Sequence, residues 1–101
     1  MSRQVSQSPL FQRQKKRLAK AEVAVLDDEV RHICSAPEIG EAKKGDLAGV
    51  SVHKFKVRDR LFILAYEFDA NEVLLLALGA HVNLYRDLKR YRPESESGLF
   101  F

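Results

Sequence analysis

Hydrophobic positions along the chain recur with two different periods. Val23, Leu26, Val30 and Ile33 follow a helical 3, 4, 3 spacing, with Asp27, Asp28, Glu29 and Arg31 elsewhere around the circumference. Upstream, Ser8-Pro9 reads as a helix start, since serine is a favoured N-cap and proline fits the first helical position. Phe11 and Leu18 share a face there, so the pattern predicts two packed helices over 8–19 and 22–35, the second closed by Ser35-Ala36-Pro37. Residues 37–49 carry Gly40, Gly45 and Gly49 and no sustained period, which predicts a loop. From Val50 to Val57 the period becomes two, with His53, Phe55 and Val57 on one face and Lys54, Lys56 and Arg58 on the other. A polar turn at Arg58-Asp59-Arg60 leads into Leu61 to Phe68, a nearly continuous apolar run of the kind expected for a central strand covered on both faces. Asp69-Ala70-Asn71 turns the chain into a further strand from Glu72 to Leu78, which Gly79 ends. Leu84, Leu88 and Tyr91 then predict a short helix over 83–91. Residues 1–7, polar apart from Val5, are either a frayed tail or a short edge strand, and residues 93–101 read as a tail. The expected architecture is α+β: two N-terminal helices on a small antiparallel sheet of three to four strands, with a short C-terminal helix, as one domain over residues 1–101.

Composition narrows the class. At 101 residues, 46% hydrophobic and 31% charged, the chain suits one globular core and argues against wholesale disorder. No apolar run approaches the roughly 20 residues that span a bilayer, and no apolar block near the start resembles a secretion signal. Cys34 is the single cysteine, so no internal disulfide forms, and three scattered histidines complete no zinc site. The expectation is a cytoplasmic protein without membrane contact, metal or other cofactor. Seventeen Lys and Arg against fourteen Asp and Glu give a net charge of +3. Its distribution is uneven: Arg3, Arg13, Lys15, Lys16, Arg17 and Lys20 precede the first acid, and further clusters stand at 54–60 and 86–92. Basic clusters converging on one face would attract a polyanion or an acidic protein.

Two stretches carry a more specific signal. They are His53-Lys54-Phe55-Lys56-Val57 and the run from Leu78-Gly79-Ala80-His81 through Tyr85-Arg86 to Tyr91. In that order, after a helix pair and a glycine-bearing loop, they resemble the RelE/ParE superfamily of bacterial type II toxins over about Gly45 to Tyr91. The resemblance implies one of two activities. RelE-like members cleave mRNA in the ribosomal A site without a metal, whereas ParE-like members poison DNA gyrase and lack the nuclease residues. Both are held inactive by a cognate antitoxin, so the expected partners are an antitoxin with mRNA and the ribosome, or alternatively gyrase. A plain basic nucleic-acid-binding module is the reading from outside the toxin class.

Metal-free RNA cleavage needs a base for the 2′-hydroxyl, positive charge for the phosphorane, and an acid for the leaving 5′-oxygen. The resemblance implies Lys54, Lys56, His81 and Tyr85 as the catalytic residues. Two lysines two apart on a strand share a face at about 7 Å and bring phosphate-binding charge. A histidine titrates near neutral pH and suits the acid step, while the tyrosine would stack on a base or orient the leaving group. Arg58, Arg60 and Arg86 are the expected substrate-binding residues, because the guanidinium fork suits phosphate. His32 and His53 read as structural. One departure stands out: many RelE-like toxins carry an arginine within the second strand, where this chain has Ile63 between Leu61 and Ala65, leaving Arg58 or Arg60 as substitutes. Strand parity further predicts Lys54, Lys56 and His81 on the sheet face opposite the helices.

Overall fold

A computed structural model of the chain describes residues 3–79. Strand β1 (Gln4–Gln7) leads into helix α1 (Pro9–Lys15) and then helix α2 (Lys20–Ser35). A two-residue strand β2 (Glu41–Ala42) follows, between two short 3-10 turns at Pro37–Ile39 and Gly45–Leu47. Strands β3 (Ser51–Val57), β4 (Arg60–Phe68) and β5 (Glu72–Gly79) complete the described chain. The sheet order is β1-β5-β4-β3-β2, and of the pairings only β1 with β5 is parallel. Among the described residues the architecture is α+β with five strands, where the sequence predicted three to four. The difference lies in β1, which settles as an edge strand, and in β2, which is too short to display a period of two. The helix expected over 83–91 lies outside the described residues. No described helix is long and apolar enough to cross a membrane.

Local chemistry accounts for the helix ends. The Ser8 hydroxyl accepts the Phe11 N–H at 3.0 Å and donates to the Leu76 carbonyl at 2.6 Å, so the cap of α1 also fastens it to β5. The helix stops at Lys15, earlier than the predicted 19, and the chain restarts at Lys20. There the Glu22 carboxylate accepts the Ala19 N–H at 2.8 Å, which satisfies one orphan donor of the first turn. On the Cys34 side, α2 is closed by Ala36 and Pro37, where the fixed proline geometry cannot extend a helix ladder.

The sheet has apolar packing on both faces. Phe11, Leu26 and Ile33 from the helices meet Phe55, Phe62, Leu64, Tyr66, Val73 and Leu75 on one side. Leu47, Val50, Val52, Ile63, Ala65 and Ala77 cluster on the other. Phe62 to Tyr66 are buried throughout, which is the central-strand position their unbroken apolar run predicts. The register between β4 and β5 shifts between Ala65 and Tyr66, leaving Leu76 as an extra residue on β5. After that shift Leu78 and Gly79 stand opposite Leu64 and Ile63. The Gln14 side chain accepts the Leu78 N–H at 2.6 Å, tying the last part of β5 to α1.

Candidate functional site

The β3–β4 hairpin sets the site. Val57 is the Cα partner of Arg60, so the connection is the two residues Arg58 and Asp59, and every pair back to Ser51 and Tyr66 follows in unbroken register. Phe55 and Val57 belong to the helix-side core, so alternation sends Lys54 and Lys56 to the opposite face, where both are exposed. This is the face that strand parity predicts. Lys54 stands across from Ile63, and Ile63 in turn across from Gly79. One row therefore crosses the sheet, Lys54–Ile63–Gly79, and its ends are two strand spacings apart, roughly 10 Å. Lys56 stands across from Leu61, an apolar side chain left 40% exposed beside it.

The other predicted residues divide. Arg58 sits at the tip of the hairpin, exposed, with φ of 57°, the left-handed region that non-glycine residues seldom occupy. Arg60 is not brought to the lysine row. The register gives it the face of Val57 and Phe62, and there its Nη1 donates to Glu22 Oε2 at 2.9 Å. Its guanidinium lies 5.0 Å from the Phe62 ring centroid. Ile63 occupies the place beside Lys54 where an arginine was sought, and it is fully buried. His53 takes the structural role expected of it: Nε2 lies 2.5 Å from Glu29 Oε1 of α2, and the ring stacks on Phe55, which stacks on Phe62. His32 is exposed on α2. His81, Tyr85 and Arg86 lie outside the described residues, beginning two positions after Gly79.

Among the described residues, then, the site offers two exposed ammonium groups, the Arg58 tip and one exposed leucine. Its positive charge suits an anion. Its charge is felt by Glu41 on β2, whose carboxyl is held below the ordinary carboxylate range first by a hydrogen bond and charge from Lys43 and further by Lys54. No group of three or more His, Cys, Asp or Glu side chains that could hold a metal ion occurs among the described residues. Two features escaped the sequence reading: the capture of Arg60 by Glu22 and the short strand β2. The first was accessible, because a two-residue hairpin gives Arg60 the face of Val57, whereas a three-residue turn leaves its face undefined.

Solved structures share this fold. The RelBE2 toxin–antitoxin complex of Mycobacterium tuberculosis contains a chain 18% identical, matched over 80% of this chain and 100% of its own, with a TM-score of 0.68. The intact RelBE toxin–antitoxin complex of E. coli gives 16% identity, 79% and 98% coverage, and a TM-score of 0.64. A double arginine-to-alanine variant of E. coli toxin RelE in the free state gives 15%, 90% and 98%, and 0.71. At these identities the likeness is one of fold. No curated protein matches the sequence significantly. Residues 5–89 match the family described as the ParE-like toxin of type II bacterial toxin-antitoxin systems. That match spans the helix pair, the hairpin with its lysine row and the segment that follows Gly79, and the chain therefore belongs to the ParE-like toxin family, within the RelE/ParE superfamily.

Proposed function

We propose that this toxin inhibits translation by cleaving mRNA on the ribosome without a metal ion, and that a cognate antitoxin restrains it. The observation that carries the reading is the Lys54–Ile63–Gly79 row. It brings the exposed Lys54 to within about two strand spacings of the point where the chain runs on toward His81, with Lys56 two residues further along the same face of β3. In this scheme one of Lys54 and Lys56 takes the proton of the attacking 2′-hydroxyl, while the other holds the scissile phosphate and stabilises the charge that builds on it. His81 protonates the leaving 5′-oxygen, Tyr85 orients the nucleotide, and Arg58 and Arg86 bind flanking phosphates. The antitoxin as partner is supported by the solved relatives, two of which are toxin–antitoxin complexes.

The test is expression of variants with growth arrest and primer extension on translated mRNA as readouts. His81→Ala should leave ribosome binding nearly intact and slow cleavage by about 10²–10⁴-fold, the usual contribution of a positioned acid. Lys54→Ala and Lys56→Ala should weaken binding and cleavage together, since their charge acts before and during reaction. A second reading, poisoning of DNA gyrase without hydrolysis, is favoured by one observation: the site beside Lys54 holds the buried, apolar Ile63 and not a cation. Should His81→Ala remain fully toxic while translated mRNA stays intact and supercoiling by gyrase is blocked, the second reading replaces the first.

A further inference from the structure

The tip of the β3–β4 hairpin lies against the start of α2, and a cleft of about 290 Å³ opens between them. Its surface is mainly apolar: Ala19 and Ala21 line it from the helix side and Val57 from β3. Glu22 and Arg60 line it too, but they are already committed. Arg60 donates to Glu22 at 2.9 Å and lies over the Phe62 ring, while the second Glu22 oxygen accepts the Ala19 N–H. That tie holds the hairpin to α2, so the cleft is formed in advance of any occupant. The two residues of the hairpin connection, Arg58 and Asp59, complete the lining, and both are exposed. No hydrogen bond or ion pair among the described residues engages either of their side chains.

These side chains restrict what the cleft accepts. An apolar plug would strand the Asp59 carboxylate away from water without a donor, which is costly. The occupant therefore brings hydrogen-bond donors. A lysine or arginine side chain of a protein has them, but it would set a further positive charge beside Arg58 and beside Lys56, two residues or about 7 Å before it. A nucleotide meets both demands, with a flat base for the apolar surface and an anionic phosphate for Arg58. Among the RNA bases only guanine presents two adjacent donors, N1–H and the N2 amino group, to the two acceptor oxygens of a carboxylate. Adenine and cytosine set an acceptor beside their donor, and uracil flanks its single N–H with two carbonyl oxygens. We propose that the cleft between the hairpin tip and α2 binds a guanine base of single-stranded RNA, read by Asp59, with Arg58 on its phosphate. Unstacked bases of single strands are recognised on this same edge. Because Arg58 stands at the tip of the strand that carries Lys54 and Lys56, the guanine would neighbour the scissile phosphate. That the strand is translated mRNA rests on the toxin reading, and on that reading the cleft gives cleavage a base preference.

The probes are the 5′-monophosphates of guanosine, inosine, adenosine, cytidine and uridine, added to the isotopically labelled full chain. Guanosine monophosphate should move the amide resonances of Ala19, Ala21 and Asp59. It should bind about 10–100-fold more tightly than the adenosine, cytidine and uridine forms, the range that one bidentate base contact gives. Inosine monophosphate, which lacks the N2 amino group, should fall between. Asp59→Asn should erase the preference, since a carboxamide offers guanine one acceptor and one opposing donor. Ala21→Phe, at an exposed helix position, should fill the cleft and exclude every nucleotide. Equal binding of all five, or a guanine preference that survives Asp59→Asn, would overturn the proposal. So would shifts at Ala19 and Ala21 caused by arginine amide and not by guanosine monophosphate, which would give the cleft to a basic protein segment. On translated mRNA, primer extension should place cuts beside guanine, and Asp59→Asn should flatten that bias. The two readings fail separately. Guanine binding by a chain that leaves translated mRNA intact refutes the nuclease alone, and cleavage by a chain whose amides ignore guanosine monophosphate refutes the cleft alone.

Discussion

At Tyr66 the phenol hydroxyl is the hub between the sheet and the loop that follows α2, donating to the Pro37 carbonyl at 2.5 Å and accepting the Gly40 N–H at 3.1 Å. Gly40 is glycine because of closeness: a Cβ there would stand 2.2 Å from the Tyr66 hydroxyl oxygen and 3.0 Å from the Val52 carbonyl oxygen. Gly40→Ala should therefore cost about 1–3 kcal/mol, as overpacking does. The same change in a Tyr66→Phe background should cost measurably less, which a denaturant double-mutant cycle would read as coupling above about 0.5 kcal/mol. Burial pushes the Tyr66 phenol above its ordinary pKa, the Glu38 charge adds to this, and the Gly40 hydrogen bond opposes it. A folded-state pKa above the unfolded value of about 10 means the native state holds its proton longer. This contribution is thus complete below pH 10 and is lost as pH rises through the folded value. Melting temperature should fall on that alkaline limb in the wild type and fall less in Tyr66→Phe; parallel curves would show that another group governs it.

The informative element is the β3–β4 hairpin. Two-residue connections normally place glycine or asparagine where φ is positive, yet Arg58 holds φ of 57°. For an L-residue that conformation costs about 1–2 kcal/mol. Backbone strain of this kind gathers at functional positions, and Arg58 is the cation nearest the lysine row on the same hairpin. Arg58→Gly should raise the unfolding midpoint by the equivalent of about 1 kcal/mol while weakening toxicity. Greater stability with undiminished toxicity would refute the substrate-binding role proposed for Arg58. Arg60, two residues on, belongs to another mechanism. With Glu22, Phe62, Phe55, His53 and Glu29 it forms a continuous line of contacts that holds α2 to the hairpin from both ends. Arg60→Ala should lower stability before it touches substrate binding.

Over the whole molecule, the helices and the chain start are fastened to β5 and its turn by side chains from distant parts of the sequence. Ser8 and Gln14 reach the Leu76 carbonyl and the Leu78 N–H, and Arg3 Nε reaches the Asp69 carbonyl at 2.6 Å. Cys34 lies inside this assembly at 4% exposure, and burial raises its thiol pKa against the opposing charge of Arg3. A neutral, shielded thiol reacts only when the fold opens. Labelling of Cys34 in native buffer should be at least about 10³-fold slower than in denaturant, in keeping with a folding equilibrium of ordinary size. Rapid native labelling would show that α2 detaches locally without global unfolding.

The periodicity of the chain was enough to define both helices, the three long strands and the face on which Lys54 and Lys56 emerge, because alternation is a local property of successive residues. It was enough as well for the resemblance that the family match bears out. What it left open depends on register and contact. Whether Arg60 sides with the lysines or with the core turns on one residue of hairpin length, since a single-residue shift exchanges the faces of a strand. Likewise β2 exists only because β3 stands beside it, and β1 becomes a strand only by pairing in parallel with β5. Ile63 beside Lys54 and Gly79 at the end of their row are facts of pairing between segments distant in sequence. Local pattern sets which residues share a face; only the assembled sheet decides which of them meet.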